Sequence, residues 1–145
     1  AQVILVDVNL LIYAVDSDAP HHPLARRWLE DTLSGGDHVG LAWVVILAFL
    51  RVTTRAGILV RPLDPDHALS YVDSWLELPN VETVGPGQSH WPIMRNLLKT
   101  AGTLGNLTSD AHLAALAIER GAALYSTDHD FARFPGLEYV NPLSS

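Results

Sequence analysis

An α/β fold, with helices on both faces of a parallel sheet of four to five strands, is predicted by three features of the chain. Short β-branched and aliphatic runs alternate with longer stretches of helical spacing, and no segment repeats. The first run, Val3-Ile4-Leu5-Val6, is apolar at every position, as expected of a strand covered on both faces rather than wetted on one. At 145 residues without cysteine, the chain is long enough to bury a core unaided by disulfides or thiolate metal sites. A single domain over residues 1–145 is expected.

The elements follow in order. The first strand, residues 3–6, runs directly into Asp7. After a turn containing Asp16, Asp18 and Pro20, residues 23–33 place Leu24, Trp28 and Leu33 at helical intervals, and Gly35-Gly36 stops the helix. Residues 38–41 read as a second strand. The apolar stretch 42–54, with Trp43, Ile46, Leu47, Phe49 and Leu50, is long enough to prefer a buried helix. Asp64-Pro65 supplies a cap and a first-turn proline for a helix whose inner stripe reads Leu69, Val72 and Leu76. Pro79-Asn80 ends that helix before a third strand, residues 81–84. Ser89 caps the next helix, with Ile93, Leu97 and Ala101 facing inward, and the loop 102–106 leads into a helix over 109–120 closed by Gly121. Residues 122–126 form a fourth strand and 137–140 a short fifth.

Lys and Arg total 9 against 16 Asp and Glu, a net charge of −7, which excludes a nucleic-acid binder that works through a general basic field. It leaves room for a nuclease, because divalent cations in an acidic pocket meet a phosphate that the side chains alone would repel. No apolar run approaches the ~20 residues of a membrane helix. Without cysteine, and with no basic segment ahead of the first apolar run, a cytoplasmic protein is expected, with no membrane association.

In parallel sheets the functional crevice lies at the carboxyl ends of the strands. Asp7 follows the first strand and Asp128 stands two residues beyond Ser126 at the end of the fourth, while Asp110 occupies the first turn of the preceding helix. Each acid has an ordinary reading as a cap, turn or helix-start residue. Gathered on one rim they repel one another, and a hard divalent ion relieves that repulsion; Mg²⁺ or Mn²⁺ suits an all-oxygen set.

Four segments carry a family resemblance. Val6-Asp7-Val8-Asn9-Leu10-Leu11-Ile12-Tyr13-Ala14, Phe49-Leu50-Arg51-Val52-Thr53-Thr54, Asp110-Ala111-His112-Leu113-Ala114-Ala115-Leu116-Ala117 and Ser126-Thr127-Asp128-His129-Asp130-Phe131 resemble the successive motifs of PIN-domain ribonucleases, and among them VapC-type toxins of bacterial toxin–antitoxin pairs. The resemblance implies a three-layer α/β/α fold, a Mg²⁺-dependent endoribonuclease acting on RNA, and a VapB-type antitoxin whose C-terminal segment occupies the active-site groove. A homodimer is also expected. Residue by residue it implies Asp7, Asp110 and Asp128 as catalytic metal carboxylates, with Asn9 ordering the site and the Ser126 hydroxyl serving a carboxylate or a water. Asp130 is a supporting acid.

The family usually has a Glu directly before the apolar-Leu-Arg segment, and Ala48 stands there, by natural variation or by introduced change. One metal held by three Asp and waters is therefore expected rather than a two-metal site. Two alternatives to the ribonuclease remain. One is a catalytically impaired PIN-fold binding module, favoured by Ala48. The other is a different Mg²⁺-binding phosphate-handling α/β domain such as a phosphoacceptor receiver, which lacks support because the required middle-strand Asp and late Lys are missing.

Other polar residues carry less. His21, His22, His67 and His90 read as exposed or capping residues, and His112, two positions from Asp110, does not share its face. His129 reads as a solvated loop residue. Arg51 is placed either to reach a phosphate or to pair with a nearby acid. The four tryptophans, Trp28, Trp43, Trp75 and Trp91, read as core or interface.

Overall fold

The computed structural model describes residues 2–102 and 104–144. Five strands, β1 (Val3–Val6), β2 (His38–Ala42), β3 (Val81–Val84), β4 (Ala123–Tyr125) and β5 (Glu138–Val140), form one sheet in the order β3-β2-β1-β4-β5, every pairing parallel. Among the described residues six helices connect them: α1 (Val8–Val15), α2 (His22–Leu33), α3 (Trp43–Thr54), α4 (Pro65–Leu76), α5 (His90–Ala101) and α6 (Leu107–Glu119). The chain steps outward from β1 to β2 to β3, then crosses to the other side of β1 for β4 and β5. Because crossovers between parallel strands are right-handed, the reversal of direction sends the connecting helices to opposite faces and makes three α/β/α layers. It also opens a crevice between the carboxyl ends of β1 and β4, where neighbouring chain segments diverge.

Leu5, Val39 and Leu124 in the central strands and Phe49 on α3 are wholly buried. Phe49 meets Trp75 of α4 edge-on, ring centroids 5.0 Å apart, and so joins two helices to the sheet. Gly40 sits mid-strand because a Cβ there would lie 2.7 Å from Val84 Cγ2 on the neighbouring strand.

α1 is absent from the sequence-based expectation. Its sequence, VNLLIYAV, has no 3.6-residue alternation to betray it, and the helix starts because the Asp7 carboxylate accepts the Val8 N–H at 2.7 Å. Several expected faces also differ. Leu24 and Leu69 are exposed, and Ala25 with Leu29 on α2 and Ala68, Val72 and Trp75 on α4 fill the inner stripes instead. On α3, Trp43 and Leu47 face solvent while Val45, Ile46, Phe49 and Thr53 face the core. Ser89 precedes α5 without a side-chain capping bond. That entry is held by Glu119 on α6, whose carboxylate accepts the N–H groups of Gly87 at 2.8 Å and Ser89 at 2.9 Å. The loop expected at 102–106 includes Thr103, outside the described residues. Among the described residues no helix is long and apolar enough to cross a membrane.

Candidate active site

The crevice between β1 and β4 is floored by a buried carboxylate. Asp7, 9% exposed, follows β1 directly, and its backbone N–H continues the sheet by donating to Tyr125 O at 2.9 Å. Ser126, wholly buried after β4, donates its hydroxyl to Asp7 Oδ2 at 2.7 Å. Two donors fix that direction of the Ser126 proton: Asn9 Nδ2 gives to Ser126 Oγ at 3.2 Å and the Asp128 N–H gives to it at 2.9 Å. With its lone pairs taken, the hydroxyl has its own hydrogen left for Asp7. Asn9 also reaches Asp7 Oδ2 at 3.4 Å and accepts from the Thr127 N–H at 3.4 Å, which ties the first turn of α1 to the loop after β4.

Above this floor stand three more acids. Asp110 lies in the first turn of α6, as the sequence placed it, and Asp128 caps a 3-10 turn, His129–Arg133, by accepting the Asp130 N–H at 2.9 Å. That cap draws Asp130 in: one carboxylate oxygen from each of Asp110, Asp128 and Asp130 lies within 4.8 Å of the others. Asp7, expected with Asp110 and Asp128, is not in that group of three, although its charge acts on Asp110. The sequence pattern did not single out Arg133, though its i,i+3 spacing from Asp130 was the available signal; it pairs with Asp130 at 3.9 Å.

Proton affinities register the crowding. Asp110 is pushed up to about 6, first by burial and then by the charges of Asp128, Asp7 and Asp130, with Arg133 opposing. Burial also raises Asp7, against the pull of the Ser126 and Val8 hydrogen bonds, and Asp128 adds to the rise. The phenol of Tyr139 on β5 is raised as well, by burial and then by Asp128 and Asp7. Three carboxylates within 4.8 Å of one another, with the Asp7 charge felt by Asp110 and one guanidinium nearby, make an all-oxygen set short of positive charge, which fits a hard divalent cation.

A protein-family model described as the PIN domain matches residues 4–137. The chain belongs to the PIN-domain family. Ribonuclease VapC37 of Mycobacterium tuberculosis is 45% identical to this PIN domain over 138 residues, covering 95% of this chain and 96% of that protein. Ribonuclease VapC33 of the same organism is 42% identical over 141 residues, covering 97% and 99%. Among solved structures, VapBC2 from Rickettsia felis bound to a DNA fragment from its promoter superposes with a TM-score of 0.72 at 17% identity, over 97% of this chain and 98% of that one. At that identity the likeness is one of fold.

Elsewhere in the PIN domain, Arg51 is exposed in the last turn of α3 and has no ion pair among the described residues. Ala48 is half-buried on α3, at the border between the inner residues Val45 and Phe49 and the outer residues Leu47 and Arg51. His90, expected at the surface, is buried, with Nε2 2.9 Å from His112 Nδ1 and its own Nδ1 lacking a partner. Packing of α5 on α6 encloses it, which spacing along one helix could not reveal. His112, on a different face of α6 from Asp110, is lowered by burial and then by His90.

Proposed function

We propose that this PIN domain is the toxin of a toxin–antitoxin pair, an endoribonuclease that hydrolyses RNA phosphodiester bonds with Mg²⁺ or Mn²⁺ and is neutralised by a VapB-type antitoxin. The observation that carries the reading is the convergence of Asp110, Asp128 and Asp130 over the buried Asp7 at the sheet's switch point. The names of the relatives support it.

Asp7, Asp110 and Asp128 would hold the cation, with Asp130 beside them. When bound, such an ion supplies the positive charge that a phosphodiester needs to approach four acids, and it acidifies an attacking water. The chain's own residues do the rest. Ser126 and Asn9 keep the Asp7 carboxylate in one orientation through their hydrogen bonds. A carboxylate of the cluster accepts the proton of the water as it attacks phosphorus in line. Arg51, without a carboxylate partner among the described residues, is available to a substrate phosphate. Water rather than the neighbouring 2′-hydroxyl would attack phosphorus and the 3′-oxygen would leave, taking a proton, so the products carry 5′-phosphate and 3′-hydroxyl ends. The same acids make a receptor for arginine, whose guanidinium pairs with two carboxylates at once, and a basic antitoxin segment entering the crevice would block both cation and substrate.

Ala48 favours a second reading, a PIN-fold module that keeps the antitoxin interface while its chemistry is impaired. One assay separates the two. Single-stranded RNA is incubated with the protein in Mn²⁺, in Mg²⁺ or in EDTA, alongside Asp128→Asn. Cleavage that needs a divalent ion and falls by at least about a hundredfold in the variant is the result expected of the enzyme. Absence of cleavage under every condition is the result expected of the binding module.

A further inference from the structure

α5 presents an aromatic and basic stripe that the proposed chemistry does not use. Trp91, Arg95 and Lys99 follow one another at four-residue spacing, so they lie along one side of the helix over about 12 Å. Trp91 is 61% exposed, a large apolar surface to leave in water on a helix that already buries His90 and Leu97. Beneath the stripe, Met94 and Leu98 line an apolar groove of about 650 Å³, and its far wall includes Thr108. Thr108 lies one turn before His112 on α6, so the groove runs along the α5–α6 seam, on a different face of α6 from Asp110.

Five of the nine cations are in no ion pair among the described residues, and of these Arg95 and Lys99 share one side of α5 with an exposed tryptophan. In a chain of net charge −7, Arg26, Arg61, Arg120 and Arg133 are in ion pairs with carboxylates. Arg95 and Lys99 are both exposed and in no ion pair among the described residues. A polyanion repelled by the acidic rim must draw its affinity from a local basic stretch. An aromatic face interleaved with cations matches a single strand, because every base offers a ring to stack on and every linkage a phosphate. Protein–protein interface cores, by contrast, are depleted in Lys.

We propose that the Trp91–Arg95–Lys99 face of α5 binds single-stranded RNA at a surface apart from the acidic cluster, one base stacking on Trp91 and the backbone phosphates lying on Arg95 and Lys99. This rests on the ribonuclease reading. It places an RNA-binding surface outside the metal-binding acids and predicts that KM, rather than kcat, responds to changes there.

The test is fluorescence anisotropy with a short labelled oligouridylate at low salt in EDTA, paired with cleavage of the same oligomer in Mn²⁺. Arg95→Gln combined with Lys99→Gln should weaken binding at least about tenfold and reduce the salt slope by about 1.4, since each phosphate contact on a single strand contributes about 0.7. Trp91→Ala should weaken it about fivefold or more, with Trp91→Phe restoring most of the loss. These residues are exposed, and an unchanged melting temperature in each variant reports an intact fold. If the wild-type protein binds and cleaves while the variants bind equally well, this inference is overturned and the ribonuclease reading stands. If the wild-type protein neither binds nor cleaves, both fall together. Unchanged RNA binding with loss of a dimer, or of antitoxin capture, would assign the face to a protein partner and overturn the inference.

Discussion

Asp110 shows what crowding does to a single carboxyl. Its folded pKa of about 6 lies above the ordinary 3.8, so between those values the folded chain holds a proton that the unfolded chain has released. Stability from that proton is complete below about pH 4 and is lost as pH rises through 6. Asp110→Asn should therefore raise the melting temperature of the metal-free protein by a few degrees at pH 8 and leave it unchanged near pH 4, as read by thermal denaturation in EDTA. The gain is modest because the group is partly exposed. Ala48 poses the opposite case. Ala48→Glu should lower stability in EDTA, since a carboxylate at a half-buried position lacks a partner there, and raise RNA cleavage in Mn²⁺ by about 10–100-fold. Equal loss of stability with and without the ion, and no gain in cleavage, would place Ala48 out of reach of the acids. The positions of Asp7, Asp110 and Asp128 on one rim were legible because each stands at a strand end or in a first helical turn. The place of the exposed Asp130 beside Asp110 and Asp128 was not, because it depends on a backbone N–H captured by the Asp128 carboxylate, a matter of three-dimensional turn geometry.

At the scale of elements, strand β2 is where packing tolerance is least. Gly40→Ala would press a methyl against Val84 Cγ2 at 2.7 Å and Leu5 Cδ1 at 3.2 Å inside the sheet. A loss of about 1–3 kcal/mol in chemical denaturation is expected from overpacking at such a site. β1 and β3 were readable to the residue, β1 as a uniform aliphatic run and β3 as a valine-bounded run between breakers. α1 was not. A helix apolar almost all round gives no periodic signal, and its start depends on Asp7 acting as cap and site residue at once. Helix faces were misread where apolar residues outnumber the available cover: Leu24 and Leu69 satisfy the spacing of an inner stripe, yet neighbouring helices cover another side.

For the whole molecule, strand order decides where chemistry can happen. Reversal of direction between β1 and β4 brings Asp7 and Ser126 side by side, 119 residues apart in sequence, and the hydrogen bond between them closes the floor of the crevice. Parallel order was predictable from alternation and handedness, but these leave the particular order β3-β2-β1-β4-β5 open, since several orders satisfy the same rules. In a chain of net charge −7, three clustered acids with Asp7 nearby would make the site a cation receptor first and an RNA site only once charge is compensated. Calorimetric titration of Mn²⁺ into the wild-type protein and into Asp110→Asn and Asp128→Asn measures that directly. Saturable binding by the wild-type protein is expected, weakened at least about tenfold in each variant because a hard oxygen donor and a charge are lost together; equal Mn²⁺ affinity in all three proteins would show that these acids hold no cation.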